Sequence, residues 1–465
     1  MSLRSVNLEK TWGLGRSVRY EPRMGIYPMI SIATHYNPAR ALDYFEHDLA
    51  VGESLRPCWL GNFARMLGLE GYIPRHAESL TIFDRLARGC SPSGVALLAG
   101  VMRYAERKRR TSYDIVVSAP KSVSIVALVA EDHRILDIHQ RAAQTAFEEM
   151  QLRGRISHRG VKHPTNALVA AHFVHTRSRE RDPHLHSHLL SFNMTYCSDP
   201  GLYPVKALDP KRIFADSVQL DQIYKNDLAY GLRQLGHKVN VIAGSPEICC
   251  VENDQTKVFS KAHLKIDNLE QRLFGTRDNP YYRLWVNDRF RASKNHAEEK
   301  LPKDTLAERW RSEMSPSARE ALLNIVQASL LNTAQKLSPP LDCSRAVRQA
   351  RLDAAKSTLF VSPKVIWKNL WPLVMGQLPW ADLKALVTGA VASADPKSKP
   401  FSSFILDLTL AQKAETFYPL LTTPAKTPSF QKNEPHTEVL EADVATDEAL
   451  INEHQFEQPG FRPSI

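Results

Sequence analysis

The chain has 465 residues, 43% hydrophobic and 24% charged, which is enough apolar material for one large folded domain or two ordinary ones. Lys and Arg outnumber Asp and Glu by 60 to 50, a formal charge of +10 that suits a polyanionic partner, because basic side chains displace condensed counterions from phosphates. Six cysteines without a CxxC pair argue against a zinc cage or disulfide framework, and no apolar run nears the ~20 residues that cross a bilayer, so the expectation is a soluble protein without membrane insertion.

Residues 1–28 are polar, basic and without periodicity, and read as an N-terminal extension; Met24 and Met29 are alternative starts to Met1. Met29-Ile30-Ser31-Ile32 opens a region with the density of a folded domain, which runs over 29–315. Ala39 to Phe45 reads as a helix entered after Asn37-Pro38. Tyr113 to Ser118 is rich in Ile and Val and predicts a strand stopping at Pro120, and Lys121 to Glu131 has the apolar spacing of a buried helix. Further strands are predicted over Ala167–His175 and Leu185–Tyr196, the second closed by a Ser198-Asp199-Pro200-Gly201 turn. Strands and helices that alternate with hairpin-length returns imply a mixed or antiparallel sheet covered by helices. Beyond Ser315 the character changes: Ser315-Pro316-Ser317 predicts a helix continuing to Leu337, broken by Pro339-Pro340, within a helical C-terminal region over 316–420. Residues 421–465 are Pro-rich, acidic and poor in aromatics, the composition of a disordered acidic tail.

The most informative stretch runs from His175 through Asp182-Pro183-His184-Leu185-His186-Ser187-His188. Alternate residues of a strand share a face, so His186 and His188 point the same way, and His184 joins them if the strand starts early enough. Two imidazoles on one face make half a metal site. His175, at the end of the neighbouring strand, completes a three-nitrogen cap with positions left open for substrate oxygen. His172 lies three residues before His175 and is expected to face away. An isolated His-X-His also occurs as two half-exposed histidines, and His184 also reads as a surface residue after Pro183, so the weight rests on other segments.

Asp114 is one of these. An acidic residue in a Val/Ile strand costs free energy if it is buried without a partner. It is placed either to hydrogen-bond a metal-bound histidine or to take a proton from a nucleophile, unless it sits at an exposed strand start. The following Ser118-Ala-Pro-Lys121-Ser leads into a helix N-terminus, a natural cradle for phosphate. Tyr44 alone reads as a core or interface aromatic, since a phenol with a pKa near 10 needs a cation or base nearby to act as a nucleophile.

Together these segments resemble the MobF-type conjugative relaxases, a branch of the HUH endonucleases. Met29-Ile-Ser-Ile followed by Asp43-Tyr44-Phe45 is similar to the family's N-terminal segment. Trp59-Leu-Gly61-Asn-Phe-Ala64-Arg-Met-Leu67-Gly68-Leu69-Glu-Gly71 resembles its W-x-G-x-x-A-x-x-L-G-L-x-G segment. Tyr113-Asp114-Ile-Val-Val-Ser-Ala-Pro-Lys121-Ser-Val-Ser124 resembles its most recognisable block. His175, eleven residues before His186, gives the three-histidine spacing, and Ala307-Glu-Arg-Trp310 resembles the end of such a domain.

The resemblance implies an α+β fold with a central antiparallel sheet flanked by helices. It implies a nickase at a plasmid transfer origin that acts on single-stranded or hairpin DNA in the bacterial cytoplasm. Tyr44 would form a 5′-phosphotyrosine, with a divalent cation (Mg2+, Mn2+ or another transition metal) on His175, His186 and His188. Asp114 would orient a ligand or help deprotonate Tyr44, and Arg179 and Lys121 are candidate phosphate contacts unless they are ordinary solvated charges. Two departures stand out. Phe45 replaces the second tyrosine of the usual pair, and Glu46-His47-Asp48-Leu49-Ala50 replaces the second pair. No G-x-x-x-x-G-K-[ST] loop occurs in the sequence, so unwinding would fall to a separate helicase, alongside accessory DNA-binding proteins and a type IV secretion coupling protein, with transfer of the protein to a recipient cell. The competing readings are a rolling-circle replication initiator or transposase-like nickase, a relative that binds DNA without cutting, and a small-molecule metalloenzyme.

Overall fold

The computed structural model describes residues 29–38, 55–98, 110–178, 180–251, 253–275, 286 and 303–332, with parts of 345–385 and the pair 405–406. The extension over 1–28, the helix expected over Ala39–Phe45 with Tyr44, Arg179, and the tail over 421–465 lie outside the described residues.

The first strands are β1 (Ile30–His35) and β2 (Leu55–Leu60), followed by helices α1 (Asn62–Met66) and α2 (Ala77–Arg88). Strand β3 (Ser112–Ser118) leads through Ala119-Pro120 into α3 (Lys121–Leu128) and then α4 (Arg134–Gln151). Helix α3 stops short of the predicted Glu131 because Glu131 takes a left-handed backbone, φ 59°, and turns the chain. A ribbon of β4 (Arg155–His158) and β5 (Val161–Pro164) precedes the two long strands, β6 (Leu168–Arg177) and β7 (Pro183–Tyr196). Both fall where alternating Ala, Val, Phe and Leu predicted them, and β7 starts two residues earlier than expected. After β8 (Val205–Lys206) and α5 (Lys211–Ala215) come α6 (Ser217–Gln234) and the hairpin β9 (Val239–Ile242) and β10 (Ser245–Ile248). Then come the helices α7 (Asn253–Val258), α8 (Lys261–Phe274), α9 (Lys303–Ser312), α10 (Pro316–Asn332) and α11 (Pro363–Val374), with a short antiparallel pair of β11 (Phe360–Val361) and β12 (Ile405–Leu406).

The main sheet has the order β1-β3-β7-β6-β2, with β8 added to β7, and every pairing is antiparallel. This is the central antiparallel sheet flanked by helices that the sequence implied. Because side chains alternate, each strand contributes to two different cores. On one face Leu185, Leu189, Ile115, Val117 and Val174 pack under α3, α4 and α6. On the other, Leu190, Phe192, Ala171 and Phe173 pack against Trp59, Phe63 and Phe83, with Trp59 stacked on Phe83 at 5.0 Å. Gly61 explains part of the Trp59-Leu-Gly61 pattern. Its φ is 109°, and a Cβ there would come within 2.1 Å of the Leu168 carbonyl oxygen, so only glycine lets α1 start this close to β6.

Helix α10 packs on the first of these cores, and the described residues over 345–385 form a smaller one. Leu322 of α10 is buried with Trp310 and Met314, and Ser329 accepts a 2.8 Å hydrogen bond from Arg134 at the start of α4. Trp367, Trp371 and Trp380 cluster with Ile223 of α6. Among the described residues no helix is long and apolar enough to cross a membrane.

Candidate metal centre

The second face of the sheet changes character along its length. At one end it is aromatic; at the other it carries histidines. The β6–β7 ladder pairs His175 with His186 and Phe173 with His188, which puts all three imidazoles on one face. Because β7 begins at Pro183, His184 is in phase with them. His172, one step out of phase with His175, faces the helices instead, as the strand period requires.

The three rings form a near-equilateral triangle, with centroids 5.3 Å apart for His175–His186, 5.1 Å for His175–His188 and 5.1 Å for His186–His188. Each offers one ring nitrogen within 4.8 Å of the other two. Three nitrogens held about 2.1 Å from one tetrahedral ion stand about 3.4 Å apart, so a small inward rotation of the rings completes the cap.

The hydrogen bonds behind the rings decide which nitrogen is offered. His188 Nδ1 lies 2.9 and 3.0 Å from the two Asp114 carboxylate oxygens. His186 Nδ1 lies 2.9 Å from the His184 carbonyl oxygen. Both partners accept only, so Nδ1 carries a proton in each ring and Nε2 is the nitrogen they leave facing away. A carboxylate or carbonyl behind a metal-binding imidazole is the usual arrangement that fixes its tautomer and raises its basicity.

Electrostatics point the same way. Burial, then the neighbouring His184, His188 and His175, push the His186 imidazole well below its ordinary pKa and keep it neutral. Burial opposes ionisation of Asp114, but His188 overcomes it by charge and hydrogen bond and holds the carboxyl below its usual range. An ionised carboxylate behind an imidazole favours a cation on its far nitrogen. The donor set therefore fits a divalent metal: three imidazole nitrogens on one face, with coordination positions left over.

Lys121 is near but already engaged. Its Nζ donates to the Pro183 carbonyl at 3.2 Å, and burial pulls its pKa down against the opposing charge of Asp182. His184 is a residue whose part the sequence did not reveal. Its ring stacks on His186 at 4.7 Å and 28°, while its carbonyl holds His186 Nδ1, so it braces one ligand in two ways. The only hint was its period-two spacing. Ser187, between the two β7 ligands, gave no hint at all. Its hydroxyl is hydrogen-bonded on the opposite side of the sheet, 2.8 Å from His172 Nε2 and 2.9 Å from His139 Nε2, with Tyr224 beyond at 2.9 Å from His139 Nδ1.

The chain is similar to known proteins in sequence and in fold. The sequence profile of the TrwC relaxase family matches residues 31–316. The multifunctional conjugation protein TraI of Escherichia coli is 30% identical over 227 residues, 46% of this chain and 12% of that protein, and TraI of strain K12 is 28% identical over the same length. The chain thus spans about one-eighth of the length of these curated relatives. Among solved structures, a copper-bound conjugative relaxase TrwC in complex with oriT DNA superposes with a TM-score of 0.52 at 27% identity, covering 63% of this chain and 98% of that one. A TrwC complex with a 27-mer DNA comprising the recognition hairpin and the cleavage site gives the same TM-score, identity and coverage.

Proposed function

The chain belongs to the TrwC relaxase family, and from that premise we propose that it is a conjugative relaxase, cutting one strand of a plasmid transfer origin and rejoining it through Tyr44. The observation that carries the proposal is the triangle of His175, His186 and His188 with Asp114 behind His188. A small-molecule metalloenzyme would account for the triangle but not for the family membership or the +10 charge.

In this reading the Tyr44 oxygen attacks the scissile phosphorus, a P–O bond forms, and the bond from phosphorus to the 3′-oxygen breaks. The 5′ end stays on Tyr44, and the 3′-oxygen leaves as a hydroxyl after taking up a proton. A divalent cation on the three histidines supplies charge stabilisation to the phosphate oxygens. Three imidazoles are a poor site for Mg2+, which prefers oxygen, so we assign Mn2+ or a later transition metal. Asp114 directs both carboxylate oxygens at His188. We therefore assign it to orienting that ligand rather than to deprotonating Tyr44. Lys121 keeps two ammonium donors beyond the one given to Pro183, and with Arg179 is assigned to phosphate contacts. With Phe45 beside it, Tyr44 is the single nucleophile of its segment, and rejoining uses the free 3′-hydroxyl in reversal of the first step. A separate helicase, accessory DNA-binding proteins and a coupling protein are the partners this role calls for, in a bacterial cytoplasm.

Incubation with Mn2+ and a single-stranded origin oligonucleotide is expected to give a covalent adduct on a denaturing gel. An adduct that survives Tyr44→Phe, or none from the unaltered chain, overturns the assignment.

A further inference from the structure

We propose that Trp310 and Asp182 are positioning residues of the metal centre, acting through the turn that joins its two ligand strands. The proposal rests on the relaxase reading for the reaction, but its first readout, metal affinity, is independent of that reading.

Strand pairing alone does not fix this turn. The β6–β7 register slips between His175 and Arg177, so the ladder loses its regular count just after the first ligand. Ser178 and the described residues 180–182 then close on one another. The Ser178 amide donates to the Asp182 carbonyl and the Arg181 amide to the Ser178 carbonyl, both at 2.9 Å. Ser178 Oγ accepts the amides of Glu180 at 3.2 Å and Asp182 at 3.1 Å. Arg181 sits at φ 61°, a left-handed backbone that a side-chain-bearing residue keeps only when its surroundings impose it.

Those surroundings come from far along the chain. Trp310 of α9 donates its indole N–H to the Arg181 carbonyl at 2.7 Å. The Lys261 amide, at the first position of α8, donates to Asp182 Oδ2 at 2.8 Å, and Lys261 Nζ stands 3.5 Å from Oδ1. That ammonium also pairs with Glu313 at 2.6 Å, which ties α8 to the end of α9. Trp310 is 4% exposed and Asp182 2%, so both contacts are shielded from water and salt. The Lys265–Glu180 pair, at 2.6 Å, has an exposed lysine and adds little.

The consequence follows from the ligand geometry. Three imidazoles bind one ion only while their nitrogens stay at a fixed separation. His186 lies four residues past Asp182 and His175 three before Ser178, so movement of the turn shifts one ligand strand against the other. Trp310 thereby gains a role that its place in the Ala307-Glu-Arg-Trp310 segment does not explain.

The test uses the full chain, stripped of metal by a chelator and titrated with Co2+. Trp310→Phe keeps an aromatic ring in place and removes the indole N–H together with its five-membered ring. It is expected to weaken Co2+ binding about 10-fold, shift the visible Co2+ absorption band, and lower kcat for cutting a single-stranded origin oligonucleotide with KM unchanged. In the metal-free variant the amides of Ser178 and Arg181 are expected to exchange faster. Wild-type Co2+ affinity and absorption in Trp310→Phe overturn the proposal, including when its thermal stability falls, because that pattern is a structural role alone. If Trp310→Phe yields no folded protein, Asp182→Asn decides by the same two readouts. An unaltered chain that binds Co2+ but forms no tyrosine adduct refutes the relaxase reading and leaves this comparison measurable.

Discussion

Strands β6 and β7 carry histidines on both faces, and the two sets have opposite fates. On one face His175, His186 and His188 converge within 4.8 Å of one another, and two of them are backed by acceptors at Nδ1. On the other, His172 and His139 of α4 both spend Nε2 on the Ser187 hydroxyl, and burial holds each near a pKa of about 3, permanently neutral. Residue type and burial are alike. What separates a ligand from a core residue here is which ring nitrogen the neighbours occupy. An acceptor at Nδ1 turns Nε2 toward the site, whereas a hydroxyl against Nε2 occupies that nitrogen.

The sharpest way to break this contrast is to remove one residue from the ligand face. His186→Ala is expected to lower adduct formation on the order of 10^3-fold and abolish Co2+ binding, while gel-shift affinity for hairpin DNA holds. Equal loss of DNA binding would mean that the triangle holds the fold rather than the ion. The helix-covered face should respond to pH instead. Unfolded histidines take up a proton below about pH 6.5, whereas His139 and His172 stay neutral in the folded chain until about pH 3. The unfolded state therefore binds more protons across that window, and stability falls as pH drops through it, by roughly 2 kcal/mol per histidine between pH 6.5 and 5. Urea unfolding of the metal-free chain at the two pH values measures this, and a double His139→Leu, His172→Leu variant should flatten the dependence.

Ser187→Ala separates the faces within a single residue. It strands two buried imidazoles, each costing about 1–3 kcal/mol, so the unfolding midpoint should drop while Co2+ affinity stays within a factor of about three. A large loss of Co2+ affinity would show that the two faces are coupled through the strand. The smallest expected effect is that of Asp114→Asn, which keeps the shape but removes the carboxylate behind His188. Metal affinity should fall about 10-fold with stability nearly unchanged, and recovery of cutting at high Mn2+ would confirm an orienting role against a proton-accepting one.

The parts of this arrangement readable in advance are those with a short period. Alternation in β7 placed His186 and His188 on one side, and the three-residue offset put His172 on the other. Asp114 was conspicuous as a carboxylate in a Val/Ile strand, although its partner was not. What escaped were contacts between residues remote in sequence. Ser187 looks like any strand serine until α4 delivers His139 to it, 48 positions away. Trp310 meets Arg181 across 129 positions. Nothing local encodes such a meeting, because it depends on how helices settle over a sheet. Gly61 is a middle case: its motif was visible, but the Leu168 carbonyl that demands glycine was not.

The way α10 seats itself has a practical side for protein engineering. The family match ends at residue 316, the first residue of α10, and a fragment cut there would look complete by alignment. It would uncover the apolar seat of Leu322 and deprive Arg134, the partner of Asp132, of the Ser329 hydroxyl. A minimal fragment that stays in solution should therefore keep the helix through Asn332, so the alignment boundary and the boundary of the folding unit are different places on this chain.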